Sequence, residues 1–210
     1  MSDSLRYPVP AARCRVEQTI DRSRFICDVA RASSPAAAQA LVREIATAFP
    51  DATHHCWAYL AGPPGDTAQI GMSDDGEPHG TAGRPMLTVL LHSGVGEIVA
   101  VVTRYYGGTK LGTGGLVRAY SAVVQAALVA LGTVERLEYA SIAVVLAYAH
   151  LSAVRHLLPT FEATITSEAY GEEVELCLSV PLPRRAALYD ALADATSGRA
   201  VLLREAATSA

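Results

Sequence analysis

A loop with five glycines in nine residues, at positions 107–115, most constrains how this chain can fold. It joins an apolar strand predicted over residues 97–106 to an apolar helix predicted over residues 114–131, which Gly132 ends. Glycine tolerates backbone conformations and close approaches that other residues do not. The loop therefore decides how the strand and the helix meet.

The glycine loop has two interpretations. A glycine loop before a helix exposes backbone N–H groups that can contact an anion or a phosphate backbone, and it can equally serve close backbone packing. It is not a P-loop, because Lys110 lies between Gly107 and Gly112 rather than directly after Gly112. It is not a dinucleotide fingerprint either, because Val117 stands where the third glycine should be. The candidate contacts in this loop and helix are Gly107, Gly108, Lys110, Gly112, Gly114, Gly115 and Arg118.

The strand before the loop ends in Arg104, Tyr105 and Tyr106. Such residues can hold a phosphate or stack on bases, so Arg104 and Tyr105 join the candidate binding residues. In the alternative interpretation Tyr106 is a core aromatic, and Arg104 pairs with Glu97 or Asp75.

An acidic loop precedes these elements and contains Ser73, Asp74, Asp75 and Glu77. Hard divalent cations take carboxylate oxygens, but the loop lacks the calcium EF-hand spacing, and Asp and Gly also suit an ordinary turn. His54 and His55 would point to opposite faces of a strand, which favours core or rim roles over a shared metal. We therefore predict no metal and no cofactor.

Composition and charge restrict the class of protein. Half of the residues are apolar and the net charge is −4, as expected for a folded protein. Residues 1–136 carry 12 basic and 12 acidic side chains, and residues 137–210 carry 5 and 9. Neither part has the basic excess of a protein held to nucleic acid by phosphate neutralisation alone, although a local basic patch remains open.

Localisation follows from the absence of two signals. The first ten residues lack the basic start and apolar core of a signal peptide, and no stretch of about 18 apolar residues is present. We expect a cytoplasmic protein that does not bind membranes, with its cysteines, Cys14, Cys27, Cys56 and Cys177, reduced and buried.

Hydrophobic periodicity predicts an α+β protein with two domains, at residues 1–136 and 138–210. In the first, strands at residues 13–20, 24–31 and 54–61 flank a helix that Ser34 begins, and a helix capped by Thr81 follows at 81–91. Residues 133–138 are predicted as a linker. The second domain is predicted as βαββαβ, the order of ferredoxin-like domains, with strands at 139–147, 160–169, 173–180 and 199–204 and helices at 150–158 and 183–195.

Two long motifs carry a family resemblance. They read SDDGEPHGTAGRPML from Ser73 and VVTRYYGGTKLGTGGLVRAY from Val101, with Ser23-Arg24-Phe25-Ile26 and a segment from Pro50 to Cys56 in support. In these motifs the chain resembles the YigZ/IMPACT family, in its bacterial branch. The resemblance implies a first domain similar to the second domain of ribosomal protein S-five. It also implies a ferredoxin-like second domain similar to the last domain of elongation factor G.

The resemblance and the residues together favour a non-enzymatic, translation-linked binding protein that contacts RNA or a ribosome-associated protein. The first alternative is an enzyme that acts on a phosphate-bearing small molecule, with a divalent metal at the acidic loop. The second is a protein–protein regulator that docks through the sheet of the second domain. The sequence leaves the oligomeric state and the identity of the ligand open.

Overall fold

The computed structural model describes residues 6–206, and only the backbone over 201–206. The outer domain limits at Met1 and Ala210, and half of the segment used to argue against a signal peptide, lie outside the described residues. Within them the chain divides into two compact units, Tyr7–Arg136 and a unit that starts at Leu137 and includes Arg6.

The first unit is built on a five-stranded antiparallel sheet in the order β2-β3-β6-β4-β5. A separate two-stranded ribbon pairs β1 with β7. The strands are β1 Tyr7–Pro10, β2 Cys14–Ile20, β3 Ser23–Arg31, β4 His54–Leu60, β5 Ile70–Ser73, β6 Ile98–Tyr105 and β7 Thr133–Arg136. The helices are α1 Pro35–Ala48, α2 Gly83–Leu91 and α3 Gly112–Ala130.

The central strand β6 explains the layering, because seven of its eight residues are buried. Ala100 and Val102 face the cluster that contains α2 and α3, whereas Val99 and Val101 face α1. The sheet is therefore covered by α1 on one face and by α2 and α3 on the other. A strand covered on both faces reads as a continuous apolar run, as the predicted strand does.

Capping explains where two of the helices begin. The Ser34 hydroxyl accepts from the Ala37 N–H and Pro35 occupies the first turn, as predicted for α1. The predicted Thr81 cap of α2 is wrong, because the Thr81 hydroxyl donates to the Pro78 carbonyl and the helix begins at Gly83. Instead, the Asp74 carboxylate, nine residues before Gly83, accepts from the first N–H groups of the helix.

Three short strands correct the sequence prediction. Thr133–Arg136 is not a linker but strand β7, which pairs antiparallel with β1 from Tyr7↔Arg136 to Pro10↔Thr133. Strand β1 itself and strand β5, which pairs with β4, were also not predicted. Each of the three has four residues, too few to show a clear alternation.

Helix α3 is long and apolar enough, by length and composition alone, to cross a membrane. Its apolar stripe, however, is buried against the sheet, with Leu116, Tyr120, Val123, Val124 and Ala127 in the core cluster. This burial accounts for the hydropathy of the helix as that of a core element.

The second unit has the ferredoxin-like arrangement that the sequence predicts. Its elements are β8 Tyr139–Leu146, α4 Tyr148–Leu157, β9 Thr164–Tyr170, β10 Val174–Pro181, α5 Arg185–Thr196 and β11 Val201–Ala206. The antiparallel sheet has the order β11-β8-β10-β9, which is fourth-first-third-second within the unit. Helices α4 and α5 contact each other and share one cluster with the buried face of β8. The α+β prediction is thus confirmed.

Most boundaries in this unit lie within two residues of the prediction, and the largest difference is at the second strand. The strand expected from Thr160 starts at Thr164, because Leu158–Phe161 forms a 3-10 turn that contains Pro159. Glu162 follows with a left-handed backbone at φ 54°. Proline favours such a turn and is disfavoured inside a strand.

Candidate functional site

An open cavity of about 350 Å³ lies where the acidic loop, the end of β6 and the start of α3 meet. Glu77 and Pro78 of the acidic loop line one side, and Arg104 and Tyr106 line another. The glycine loop and α3 complete the wall with Lys110, Leu111, Gly112, Thr113 and Leu116. The structure thus brings together the acidic loop and the glycine loop, as the sequence predicts.

Arg104 is a buried charged group of the cavity wall. Its Nη1 donates to Glu77 Oε1 at 2.5 Å and its Nη2 donates to Ser23 Oγ at 3.2 Å. The guanidinium also lies over two aromatic rings, at 5.3 Å from the Phe25 centroid and 5.7 Å from the Tyr106 centroid. The partner of Arg104 is therefore neither Glu97 nor Asp75, the two carboxylates that the sequence suggested.

Glu77 connects Arg104 to a buried polar chain. The Tyr120 hydroxyl of α3 donates to the same Glu77 Oε1 at 2.8 Å and lies 3.3 Å from the Cys56 thiol of β4. Burial raises the pKa of Tyr120 and of Cys56, so both groups are neutral at physiological pH. These hydrogen bonds connect three elements, β4, β6 and α3, to the Glu77 carboxylate of the acidic loop.

Asp74 acts as a remote cap of α2. Its Oδ1 accepts from the N–H groups of Ala82 and Gly83, and its Oδ2 accepts from the Gly80 N–H. Partial burial opposes ionisation, but these backbone donors outweigh it and hold the pKa of Asp74 below its ordinary value. The negative charge at this position also suits the positive end of the helix.

Asp75 and Ser73 stabilise the turn itself. Asp75 Oδ2 accepts from the His55 N–H at 2.5 Å, and Ser73 Oγ accepts from the Asp75 N–H at 3.1 Å. The His54 Nδ1 lies 2.7 Å from the Asp75 carbonyl oxygen. The carboxylates of the acidic loop are thus directed at protein donors, and the described residues contain no cluster of three or more metal-ligating side chains.

The glycines of the loop have different roles. A Cβ at Gly107 would lie 1.9 Å from the Arg22 carbonyl oxygen, so this position serves close backbone packing. Gly108 and Gly112 have left-handed backbones, with φ of 84° and 71°. Gly114 has neither constraint: its φ is not positive, and a Cβ there would have only an ordinary contact with the Arg118 guanidinium.

The first turn of α3 is open to an anion. Among the described residues no side chain caps its N-terminus, and its first turn carries no acidic residue. The first N–H groups of a helix have no partner inside the helix, and the helix dipole makes this end positive. Lys110, the only lysine of the sequence, is exposed directly before it.

Nine of the thirteen predicted site residues, among them Tyr105 and Arg118, lie outside the cavity wall. Tyr105 points to the other face of β6, where its hydroxyl donates to Asp51 Oδ1 at 2.9 Å and its ring lies under Arg24. Arg118 is exposed on α3 and lines a neighbouring cavity of about 190 Å³, together with Asp21. Gly107, Gly108, Gly114 and Gly115 also do not line the main cavity, although Gly115 lines the smaller one.

Sequence reasoning missed two partners of the site and left the role of one aromatic residue open. Tyr106 is not a core aromatic, since it is 47% exposed at the mouth of the cavity. The available signal was its position two residues after Arg104, which places both side chains on the same face of an extended strand. Tyr120 and Ser23 were not recognised as partners of the site, because their roles depend on contacts across 43 and 81 residues of sequence.

Two family models and a solved structure match this chain. The model of the Impact N-terminal domain matches residues 21–128, and a domain of unknown function, DUF1949, matches residues 144–199. A solved structure described as a hypothetical protein superposes with a TM-score of 0.67 at 43% identity, covering 94% of this chain and 96% of that one.

Named relatives cover nearly the whole chain. The IMPACT family member YigZ of Escherichia coli is 44% identical over 93% of this chain and 96% of its own length. The IMPACT family member YvyE of Bacillus subtilis is 38% identical over 87% of this chain and 83% of its own length. With the domain model over more than half of its residues and relatives at this identity, the chain belongs to the IMPACT family.

Proposed function

We propose that the chain is a cytoplasmic, translation-linked binding protein that contacts RNA or a ribosome-associated partner. The contact surface is the cavity and its rim, formed by Arg104, Tyr106, Lys110 and the first turn of α3. Membership of the IMPACT family supports the link to translation, because this family is generally associated with translation regulation.

The observation that carries the proposal is the convergence of cations, backbone donors and an exposed aromatic ring on one open surface. Lys110 and the uncapped N-terminus of α3 supply positive charge, and Tyr106 supplies a stacking surface over Arg104. These are the features with which proteins bind single-stranded nucleic acid. Binding then relies on local charge, in keeping with the net charge of −4.

The test measures RNA affinity as a function of salt for the native protein and for matched variants. Lys110→Ala should weaken binding and reduce the salt slope by about one. Arg43→Ala is the control, because Arg43 is exposed on α1, which packs on the opposite face of the sheet. It should leave both the affinity and the slope unchanged.

The second arm addresses the protein partner. The tagged native protein and the Lys110→Ala variant are crosslinked in cells, and the recovered RNA and proteins are identified together. The proposal expects ribosomal RNA, transfer RNA or ribosomal proteins, with recovery reduced by the variant. Absence of measurable RNA affinity at low salt, together with recovery of no translation component, would overturn it.

The enzymatic alternative receives no support from the site geometry. Asp74, Asp75 and Glu77 each accept hydrogen bonds from the protein. The described residues contain no group of three or more His, Cys, Asp or Glu side chains that could hold a metal ion. We therefore advance the binding function alone.

A further inference from the structure

We infer that the cavity takes a single unpaired nucleotide, with its phosphate at the N-terminus of α3 and its base against Tyr106. This inference rests on the proposed function, since it names the part of an RNA ligand that the site would hold. A free nucleoside monophosphate presents the same chemistry, and the experiment below separates the two sources.

The size of the cavity favours one nucleotide over a duplex. Its volume of about 350 Å³ lies near the lower end of the range of small-molecule pockets, about 300–1,000 Å³. A base that is paired and stacked inside a nucleic-acid duplex cannot enter a pocket. The bases of single-stranded loops and ends, by contrast, can be splayed out and stacked on aromatic side chains. The cavity therefore suits an unstacked nucleotide.

The phosphate end is defined by α3 and Lys110. Thr113 lines the cavity in the uncapped first turn, and Lys110 lines it immediately before the helix. Gly112, the first residue of α3, also lines the cavity, so bare backbone as well as side chains would face an anion at this point.

Arg104 provides a second, independent indication of a ligand. The residue is 5% exposed and lines the cavity, yet its Nε has no hydrogen-bond partner within the described part of the chain. A buried donor without an acceptor is costly, and most buried polar groups in proteins are paired. The Nε atom itself has almost no exposed surface, so a phosphate oxygen would supply the missing acceptor after a shift of the Arg104 side chain toward the cavity.

The base end is apolar and aromatic. Tyr106 is 47% exposed at the rim, and Pro78, Leu111 and Leu116 line the adjoining wall. Aromatic stacking tolerates any base because every base has a π-face. The site should therefore bind nucleotides with little preference for the base.

The main test uses a charge placed where the phosphate should lie. Thr113→Asp puts a carboxylate in the first turn of α3, where an acid stabilises the helix but repels an anion. Thr113→Asn is the matched control of equal size without the charge. The probes are a labelled single-stranded oligouridylate of about ten nucleotides, its duplex with a complementary strand, and adenosine monophosphate as competitor.

The inference expects three results. Thr113→Asp should weaken binding of the single strand at least about tenfold with no loss of thermal stability, whereas Thr113→Asn should stay within about threefold. Tyr106→Ala should weaken binding at least about fivefold, and Tyr106→Phe should not. Adenosine monophosphate should compete with the single strand, and the duplex should bind more weakly than the single strand.

Lys110 allows a direct footprint of the site. Because it is the only lysine, an amine-selective acylating reagent modifies this one side chain and the N-terminal amine. The single strand and adenosine monophosphate should both slow the acylation of Lys110. The N-terminal amine, whose rate should not change, serves as the internal reference.

The outcomes separate the inference from the proposed function. If RNA binds but Thr113→Asp binds it normally and Lys110 is not protected, the inference is overturned and RNA binds elsewhere on the protein. If adenosine monophosphate protects Lys110 but no RNA binds, the nucleotide site stands and the RNA function fails. If neither probe protects Lys110, the site does not hold a nucleotide.

Discussion

The Arg104 guanidinium and the Glu77 carboxylate form an ion pair at 2.5 Å in which the two side chains are 6% and 3% exposed. The pair connects the end of the central strand to the acidic loop, and it receives a further hydrogen bond from Tyr120. Removal of one partner from a buried ion pair leaves an uncompensated charge, which costs far more than the pair itself contributes.

Replacement of Glu77 should therefore destabilise the first unit strongly. Glu77→Ala should lower the free energy of unfolding by about 3–5 kcal/mol, as measured by urea denaturation. Glu44→Ala is the control, because Glu44 forms an exposed ion pair with Arg13 and should cost at most about 1 kcal/mol. Equal losses in the two variants would contradict the structural role of the pair.

Two glycines of the same loop should respond oppositely to alanine. Gly107→Ala drives a methyl group into the Arg22 carbonyl and should cost at least about 3 kcal/mol. Gly114→Ala meets only an ordinary contact in a helical turn, so it should be neutral or stabilising by up to about 1 kcal/mol. Melting temperatures of the two variants, each compared with the native protein, test this assignment.

Asp74 should make the stability of the first unit depend on pH in the acid range. Its folded pKa is below the ordinary value of 3.8, so its stabilising contribution is fully present above that value. The contribution is lost as the pH falls through the lower folded pKa, when the N–H groups of Ala82 and Gly83 lose their charged acceptor. The native protein should thus lose more stability than Asp74→Asn between neutral pH and about pH 2.

The control for this pH dependence is a comparison of the two unfolding curves at neutral pH. There Asp74→Asn should already be less stable by about 1 kcal/mol, because the neutral amide is a weaker cap. Parallel stability profiles for the two proteins from neutral to acid pH would show that Asp74 is not the group responsible.

The ribbon of β1 and β7 should resist proteolysis as long as Glu97 holds it. Glu97 is 3% exposed and accepts from the Tyr7 hydroxyl, Arg31 and Arg136, the last being part of β7. Trypsin should cut slowly after Arg136 in the native protein. Glu97→Asn, which tolerates the left-handed backbone of this position but cannot reach these donors, should speed that cut about tenfold.

Mapping of the fragments by mass spectrometry identifies the cleavage site, and Glu44→Gln serves as the control for a lost surface carboxylate. Rapid cleavage after Arg136 in the native protein would mean that the ribbon does not hold and that residues 133–138 behave as the linker that the sequence suggests.

The long periodic elements could be predicted from the sequence, and the reason is visible in β6 and α3. Val99 and Ala100 are buried on opposite faces of the sheet, so the strand reads as an apolar run, and α3 carries a continuous apolar stripe. The short strands could not be predicted, because β7 has mostly exposed residues and β1 contains two prolines. Only their mutual pairing makes them strands.

The position of the candidate site could be predicted from the sequence, but the hydrogen-bond partners within it could not. The acidic loop and the glycine loop do meet, yet Arg104 pairs with Glu77 rather than Glu97 or Asp75. This choice depends on which carboxylate the turn at Asp74 and Asp75 directs inward, and three-dimensional contacts decide it. In the same way, the exposure of Tyr106 depends on where the helices stop covering the sheet.

The pairing of Tyr7 with Arg136 means that the first unit begins and ends at neighbouring positions on one ribbon. Chain entry and exit side by side are the geometry that circular permutation requires. A short peptide could join these two residues, and new termini could open between Gly65 and Asp66, two exposed neighbours in the turn that follows β4. The unit that carries the cavity could thus be circularly permuted, or inserted into a loop of another protein, with its sheet intact.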